Sequence, residues 1–173
     1  MIESGAFTED DRLELLEGWV VQKMAKGAAH EFSIGQLEEA IRTLLPLGWH
    51  VRNQAPITLA RSEPEPDLTI VRGNRADYRD HHPQAGDVVL VIEISDTTLA
   101  TDRLKARTYA AAGISEYWIV SLESRSVEVH RAPALDQREA AYREQETFRE
   151  AETVRLVVGG TDRGAIRVAD ILP

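Results

Sequence analysis

The chain has 173 residues, of which 43% are hydrophobic and 28% are charged, as expected for one globular domain over residues 1–173. It contains no cysteine, which excludes disulfides, thiol catalysis and cysteine zinc sites and makes a reducing cytoplasm the expected compartment. No apolar run approaches the roughly 20 residues that a membrane span needs, so no membrane association is expected. The formal net charge of −9 argues against a protein that coats DNA by charge alone, although it is compatible with an enzyme that meets phosphate through a cation.

The first predicted elements are a short helix, a strand and a long helix. Thr8 is a typical N-cap and Gly18 a typical helix stop, so the spacing predicts a short helix between them. Residues 19–24 are β-branched and apolar, which favours a strand. Residues 28–45 carry an apolar stripe of 3.6-residue period, which predicts the longest helix of the chain.

The rest of the chain is predicted to form strands around one further helix. In chain order, the predictions are strands at residues 49–60 and 67–71, a loop at 72–86, a strand at 87–94, a helix at 99–112, strands at 116–122 and 126–130, irregular or edge structure at 132–145, and short strands near 153–158 and 165–168.

This order of elements indicates an α/β fold of mixed α+β type. An α-β-β-β-α-β core covers about residues 13–131, a β-rich extension covers 132–173, and extra strands are expected at both ends. The core should contain a mixed central sheet with a helix on each face. The strands before and after the second core helix should be parallel neighbours, because a strand–helix–strand step crosses over in this way.

Two carboxylates occupy positions where a charge is costly. Asp67 opens a strand directly after Glu65 and Pro66, and Glu93 lies inside a continuous apolar run. An ionised carboxylate in such a strand must be paired or must bind a cation. A hard divalent cation held by two carboxylates, a main-chain carbonyl and waters would stabilise it. The alternative is that Glu93 caps a helix or pairs with an arginine at the sheet edge.

A lysine follows these carboxylates in the first turns of the next predicted helix. Because that helix packs back over the sheet, Lys105 is expected to point toward Glu93. Its ammonium would then bind a phosphate oxygen or orient an attacking water. The alternative is an ordinary solvated lysine that pairs with Asp102 at i,i+3 spacing.

Together these motifs resemble a known nuclease family. Residues 65–67, residues 93–95 and Lys105 resemble the PD-(D/E)XK nuclease superfamily and, more narrowly, the Uma-type family of restriction endonucleases. The other segments that match in order and spacing are residues 14–18, His30, residues 66–71, residues 91–98, residues 102–105, Tyr109 and residues 113–120. The resemblance implies a restriction-endonuclease-like fold and a metal-dependent endonuclease that hydrolyses DNA.

The resemblance also implies roles at the centre of the site. Asp67 and Glu93 would be catalytic metal ligands, and the main-chain carbonyl of Ile94 would be a third ligand. The position two residues after Glu93, where the superfamily motif has its lysine, is Ser95. Lysine function therefore depends on Lys105 reaching the site from the helix. Mg²⁺ or Mn²⁺ would polarise the phosphodiester and lower the pKa of a bound water, and Lys105 would steady the developing charge.

Further residues are implied or suggested around this centre. Glu14 would be an additional acidic member, with Glu17 as the alternative that the sequence does not separate from it. His30 and Ser95 are candidate accessory residues, with a structural role favoured for His30. Phosphate contacts of the DNA substrate are expected from arginines of the loop and the second core helix, chiefly Arg72, Arg103 and Arg107. The alternative for the loop arginines is that they are scattered over the surface without a role in binding.

The sequence leaves other functions open. One is a nuclease-fold protein that binds DNA or protein partners without cutting, which the acidic composition and Ser95 favour. Another is a phosphodiesterase acting on a substrate smaller than DNA. Exposed strand edges in the β-rich extension make a homodimer an additional expectation, and a dimer would allow both strands of a duplex to be cut.

Overall fold

The computed structural model describes residues 13–22, 26–136 and 139–173. Its α-helices and strands are, in chain order, β1 (Leu13–Leu16), β2 (Trp19–Gln22), α1 (Ala28–Leu44), β3 (Trp49–Asn53), β4 (Leu68–Arg72), β5 (Val88–Ser95), α2 (Leu99–Ala111), β6 (Glu116–Ser121), β7 (Ser126–Asp136), β8 (Glu139–Arg149), β9 (Thr153–Val158) and β10 (Thr161–Arg167). Neither helix of this described part is long and apolar enough to cross a membrane.

A six-stranded mixed sheet forms the centre of the molecule, in the order β3-β4-β5-β6-β7-β8. Strands β5 and β6 pair in parallel, and the other neighbours pair antiparallel. Strands β1 and β2 form one separate hairpin, and β9 and β10 form another. The order α1-β3-β4-β5-α2-β6 confirms the predicted fold class, including the parallel step across α2.

The sheet is covered on both faces. Helix α1 and the β9–β10 hairpin pack on one face, and α2 packs on the other. Strand β5 is therefore buried on both sides, with Ile92 and Ile94 toward α1 and Val91 toward α2. Each aliphatic side chain buried in this way stabilises the fold by roughly 1.5–3 kcal/mol. This two-sided burial is the reason that β5 reads as an almost continuous apolar run.

The ends of both helices follow from local sequence. Helix α1 ends where Leu45 turns to extended backbone, because Pro46 disfavours helical geometry in the residue before it. Helix α2 ends at Ala111 with Ala112 as its C-cap, and the following Gly113 has a φ of +75°, which suits glycine. There Gly113 N donates to the carbonyl of Ala110 at 3.0 Å and Ile114 N to that of Tyr109 at 3.1 Å, which is a Schellman cap.

The predicted first helix is wrong where the structure describes it. Residues 13–16 form β1, which pairs antiparallel with β2. Glu17 and Gly18 both have positive φ, of 49° and 85°, and form the two-residue turn of this hairpin. Gly18 is therefore a hairpin-turn residue and not a helix stop, because a type I′ turn needs positive φ at both central positions. The expected N-cap Thr8 lies outside the described residues.

Residues 132–136 and 139–145, which were predicted to be irregular or edge structure, belong to strands β7 and β8, and β8 is an edge strand. Strand β7 continues to Asp136 and pairs with β8 from Ser126–Arg149 to Asp136–Glu139. Strand β8 is the outermost strand of the sheet, so most of its side chains are exposed. Only Ala140 and Tyr142 of β8 are buried, and a period-2 pattern with two apolar members is too weak to indicate a strand.

One buried histidine predicts a pH dependence of stability. His130 on β7 packs between Tyr117 and Tyr142, with ring centroids at 5.7 and 6.0 Å. Burial lowers the pKa of His130, against the opposing charge of Glu128. The unfolded chain then takes up a proton first, so stability is lost as pH falls through the ordinary histidine value of about 6.5. His130→Phe should reduce the loss of unfolding free energy between pH 8 and pH 5 in urea titrations, and an unchanged loss would contradict this.

Candidate active site

A cavity of about 280 Å³ opens where β4 begins and β5 ends, beneath the N-terminal half of α2. Charged side chains dominate its lining. They are Glu14, Lys26, Asp67, Glu93, Asp96, Asp102 and Lys105, with His30 and three threonines (Thr97, Thr98, Thr101) beside them. A larger depression of about 350 Å³ lies along α1, but it is an open surface crossed by the Glu38–Arg42 ion pair. The charged cavity is therefore the candidate active site.

The sheet register brings Asp67 and Glu93 together. Leu68 on β4 is paired with Ile92 on β5, and both face the α1 side. Asp67 directly precedes β4 and Glu93 follows Ile92 in β5, so this antiparallel register places the two residues opposite each other at the same end of the strands. The Ile94 amide donates to Asp67 Oδ2 at 2.8 Å, which ties the two strand ends together. Both carboxylates are buried, at 4% and 5% exposure, and both line the cavity.

Asp67 is held as an ionised carboxylate by three donors. Oδ2 accepts from His30 Nε2 at 3.0 Å and from the Ile94 amide. Oδ1 accepts from Lys26 Nζ at 2.7 Å. Burial by itself would raise the pKa of Asp67, but the His30 hydrogen bond and the Lys26 charge lower it to about 2. His30 thus acts on Asp67 directly from the first turn of α1.

Glu93 has less compensation for its charge. Its Oε1 accepts from Lys105 Nζ at 3.1 Å and from the Tyr109 hydroxyl at 3.0 Å. Lys105 also pairs with Glu14 Oε1 at 2.8 Å, so two carboxylates share one ammonium. Burial raises the pKa of Glu93 to about 7, against the opposing charge of Lys105. Burial opposes the charge of Lys105, but Glu93 and Glu14 raise its pKa, so Lys105 remains protonated.

The hairpin β1–β2 supplies Glu14 and not Glu17. Glu14 is 8% exposed, lines the cavity and also accepts from the Glu65 amide at 3.4 Å. Glu17 sits in the exposed turn of the hairpin, where its amide donates to Ser62 Oγ. The structure therefore separates the two glutamates that the sequence left as alternatives.

One face of α2 points at the cavity. Asp102, Lys105 and Tyr109 are spaced three and four residues apart and are all buried. Asp102 accepts from Thr98 Oγ1 at 2.6 Å, and burial raises the pKa of Asp102 against that hydrogen bond. Ser95, at the position of the motif lysine, is also buried and lies 3.5 Å from Thr98 Oγ1, outside the cavity lining. Its side chain thus contacts the start of α2.

The arginines expected to contact DNA are not in the cavity. Arg103 pairs with Glu128 and Arg107 with Glu139, because these two positions lie on a different face of α2 from Lys105. Arg72 is at the far end of β4, five residues and roughly 16 Å from Asp67. It stacks on the Trp49 ring at 5.0 Å. The structure does not bring these three arginines together with the carboxylates.

Lys26 is a charged cavity residue that could not be predicted from the sequence. It precedes α1 in a short connecting segment, and no local motif marks it. Its 2.7 Å contact with Asp67 joins residues 41 positions apart in the chain. Only the tertiary fold shows this pairing.

The Tyr109 hydroxyl makes a testable contribution to stability. Tyr109→Phe should lower the unfolding free energy at pH 8 by about 2 kcal/mol, since hydrogen bonds to charged groups contribute roughly 1.5–3 kcal/mol. Tyr142→Phe is a matched control, because its hydroxyl donates to the neutral carbonyl of Ile114 at 2.9 Å. That variant should lose only about 1 kcal/mol. Equal losses of unfolding free energy in the two variants, measured by urea titration, would mean that the bond from Tyr109 to Glu93 is no stronger than a bond to a neutral carbonyl.

Comparison with known proteins identifies the family. Residues 2–162 match the sequence profile of the Uma2 family, which is described as "Putative restriction endonuclease". The chain belongs to the Uma2 family. The resemblance derived from the motifs is thereby confirmed.

A solved structure shares the fold of this Uma2 protein. It is described as a "putative nuclease belonging to DUF820" from Anabaena variabilis ATCC 29413, and it superposes with a TM-score of 0.72 at 17% identity. The match covers 98% of this chain and 95% of the other. At this identity the likeness concerns the fold alone. No curated protein matches the sequence.

The cavity of this Uma2 protein can be tested for its fit to a divalent cation. Across the described residues, no three histidine, aspartate or glutamate side chains converge as a metal cluster. A cation would therefore use two carboxylates, a main-chain carbonyl and waters, which is a donor set that Mg²⁺ and Mn²⁺ accept. Asp67 is ionised and Glu93 is a buried carboxyl without full compensation. A cation would supply the missing positive charge, so the residues present fit it.

Proposed function

We propose that this Uma2 protein is a metal-dependent endonuclease that hydrolyses DNA phosphodiester bonds. The observation that carries the proposal is the convergence of Asp67, Glu93 and Lys105 in one cavity, where the Lys105 ammonium contacts Glu93. Asp67, Glu93 and the main-chain carbonyl of Ile94 would hold Mg²⁺ or Mn²⁺. When bound, the cation activates water and polarises the phosphodiester.

Lys105 supplies a fixed positive charge to this reaction. Glu93 and Glu14 hold its ammonium from two sides, and α2 holds its backbone. A protonated lysine placed there binds a phosphate oxygen or orients the attacking water without reorganising during the reaction. Glu14 acts through Lys105 as a positioning residue.

Asp67 is fixed before any cation arrives. The donors His30 and the Ile94 amide set the plane of its carboxylate, which is the arrangement that tunes a metal ligand through its neighbours. The low pKa of Asp67 keeps the group ionised at every physiological pH. His30 therefore supports the site without contacting the phosphodiester.

A binding module without nuclease activity is the second candidate. Its support is the ion network of the cavity, in which Lys26 already pairs with Asp67 and Lys105 with Glu93. Its acidic surface and the serine at the motif position agree with it. In an enzyme, the bound cation would instead replace part of these ion pairs at the carboxylates.

Plasmid nicking separates the two candidates. The wild-type protein should nick supercoiled plasmid in Mg²⁺ or Mn²⁺ and gain thermal stability from Mn²⁺. Glu93→Gln keeps the size of the side chain and should do neither. If wild type and Glu93→Gln both leave the plasmid intact and show no thermal response to Mn²⁺, the nuclease function is ruled out. The binding module then remains as the candidate function.

A homodimer would allow both strands of a duplex to be cut. We propose a homodimer for this purpose, because β3 and β8 end the sheet as described and β8 offers a long edge strand. Light scattering should then give twice the mass of 19.3 kDa. A monomeric mass at working concentration would refute the dimer.

A further inference from the structure

We propose that Lys26 is a displaceable counter-ion of Asp67. The ammonium of Lys26 leaves Asp67 when a divalent cation binds, and it then contacts a phosphate of the substrate. The inference rests on the proposed function and adds to it a residue outside the motifs of the sequence. It assigns Lys26 a different task from Lys105, although both ammoniums contact a carboxylate of the same cavity.

The two oxygens of Asp67 are used differently. Oδ2 accepts from His30 in α1 and from the Ile94 amide in β5, and both donors belong to regular elements. Oδ1 accepts from Lys26, which lies before the first residue of α1. Loss of the lysine contact would therefore leave the carboxylate oriented by its other oxygen. Oδ1 is the atom that a cation would take.

An ammonium and a divalent cation compete for that oxygen. Two positive groups on one oxygen repel each other strongly in a partly buried site. A lysine is a compact charge on a flexible four-carbon stem, so its head can leave while its backbone stays. The side chain of Lys26 is 17% exposed, whereas that of Lys105 is 8% exposed and is fixed between Glu93 and Glu14. Lys26 is thus the ammonium that can move.

The cavity lining has more carboxylates than cations, so a phosphate that enters it has few positive groups to contact. The lining holds five carboxylates (Glu14, Asp67, Glu93, Asp96, Asp102) and the ammoniums of Lys26 and Lys105. The arginines expected to contact phosphate point elsewhere. A phosphodiester entering this cavity would therefore meet Lys26 as a nearby mobile cation.

Mn²⁺ binding to the metal-free protein tests the competition. The free Mn²⁺ signal in electron paramagnetic resonance gives the affinity without any need for cleavage. Lys26→Gln should bind Mn²⁺ about tenfold more tightly than wild type, because it removes the competing charge. Lys26→Arg keeps the charge and should not show the gain. Arg42→Gln, which removes a charge from the far side of α1, should stay within about twofold of wild type.

DNA binding tests the phosphate contact. Ca²⁺ replaces Mg²⁺ in this experiment to limit cleavage, and the affinity is measured over a series of salt concentrations. With Ca²⁺, Lys26→Gln should lower the slope of log affinity against log salt by about 0.9, which is one phosphate contact. Without Ca²⁺, wild type and Lys26→Gln should have the same slope, because Lys26 is then engaged with Asp67.

The outcomes separate this inference from the proposed function. If wild type binds no Mn²⁺, or if Asp67→Asn binds it equally well, the metal site itself is wrong. If wild type binds Mn²⁺ through Asp67 and Lys26→Gln binds it no more tightly, the displacement is wrong and the metal site stands. If Lys26→Gln and wild type have the same salt slope in Ca²⁺, Lys26 does not contact a phosphate.

Discussion

Lys105→Met is expected to reduce DNA cleavage by about 10²–10³-fold, because a fixed donor to developing charge is lost. It should also lower the unfolding free energy by about 3–5 kcal/mol, since one partner of a buried ion pair is removed. Two buried carboxylates, Glu93 and Glu14, would be left without their shared ammonium. Cleavage should be measured at a temperature where urea titration shows the variant to be folded.

Two further variants distinguish charge compensation from simple loss of packing. Adding Glu14→Gln to Lys105→Met removes one orphaned charge and should recover part of the stability but none of the cleavage. Arg103→Ala removes an exposed cation from the same helix, and its pairing with Glu128 is on the surface. That variant should change stability by less than about 1 kcal/mol. Full activity in Lys105→Met would show that this lysine is not the catalytic one.

Asp67→Asn should weaken Mn²⁺ binding and lower cleavage by at least about 100-fold, since an anionic ligand becomes neutral. Asparagine keeps the shape of the side chain and one oxygen for the Ile94 amide. The variant should also lose about 2 kcal/mol of stability at neutral pH, because the pKa of Asp67 falls from 3.8 to about 2 on folding. That contribution is present above the unfolded value and is lost as pH falls toward 2.

Asp80→Asn is the matched control for this change. Asp80 pairs with Arg79, and both side chains are 78% exposed. It should leave Mn²⁺ affinity, cleavage and stability close to wild type. A similar loss of Mn²⁺ affinity in both variants would mean that Asp67 acts through the overall charge of the protein and not as a ligand.

The core of the fold could be predicted from the sequence because its signals are local. The apolar stripe of α1 and the continuous apolar run of β5 are set by burial on one face or on both. The first hairpin was missed because Glu17-Gly18 also fits the end of a helix, and only the pairing of β1 with β2 decides between them. Strand β8 could be predicted only as irregular or edge structure, because an edge strand needs few apolar residues.

Some residues of the candidate site could also be predicted from the sequence, and others could not. Asp67 and Glu93 were found because a carboxylate is conspicuous at the start of a strand or inside an apolar run. Glu14 and Glu17 were not separable until the hairpin placed one in the cavity and the other in its turn. Lys26 had no local signal, since its partner lies 41 residues away in the chain. Helical periodicity alone predicts that Arg103 and Arg107 face away from Lys105, because each lies two residues from it in α2.

Anomalous diffraction from crystals soaked in Mn²⁺ shows whether Asp67 and Glu93 share one cation. We expect a peak within roughly 2.0–2.6 Å of Asp67 Oδ1, a Glu93 carboxylate oxygen and the Ile94 carbonyl, with Lys26 moved off Asp67. Lys105 should remain between Glu93 and Glu14. A cavity without a peak, or a peak that contacts only one of the two carboxylates, would contradict the claim that Asp67 and Glu93 share one cation.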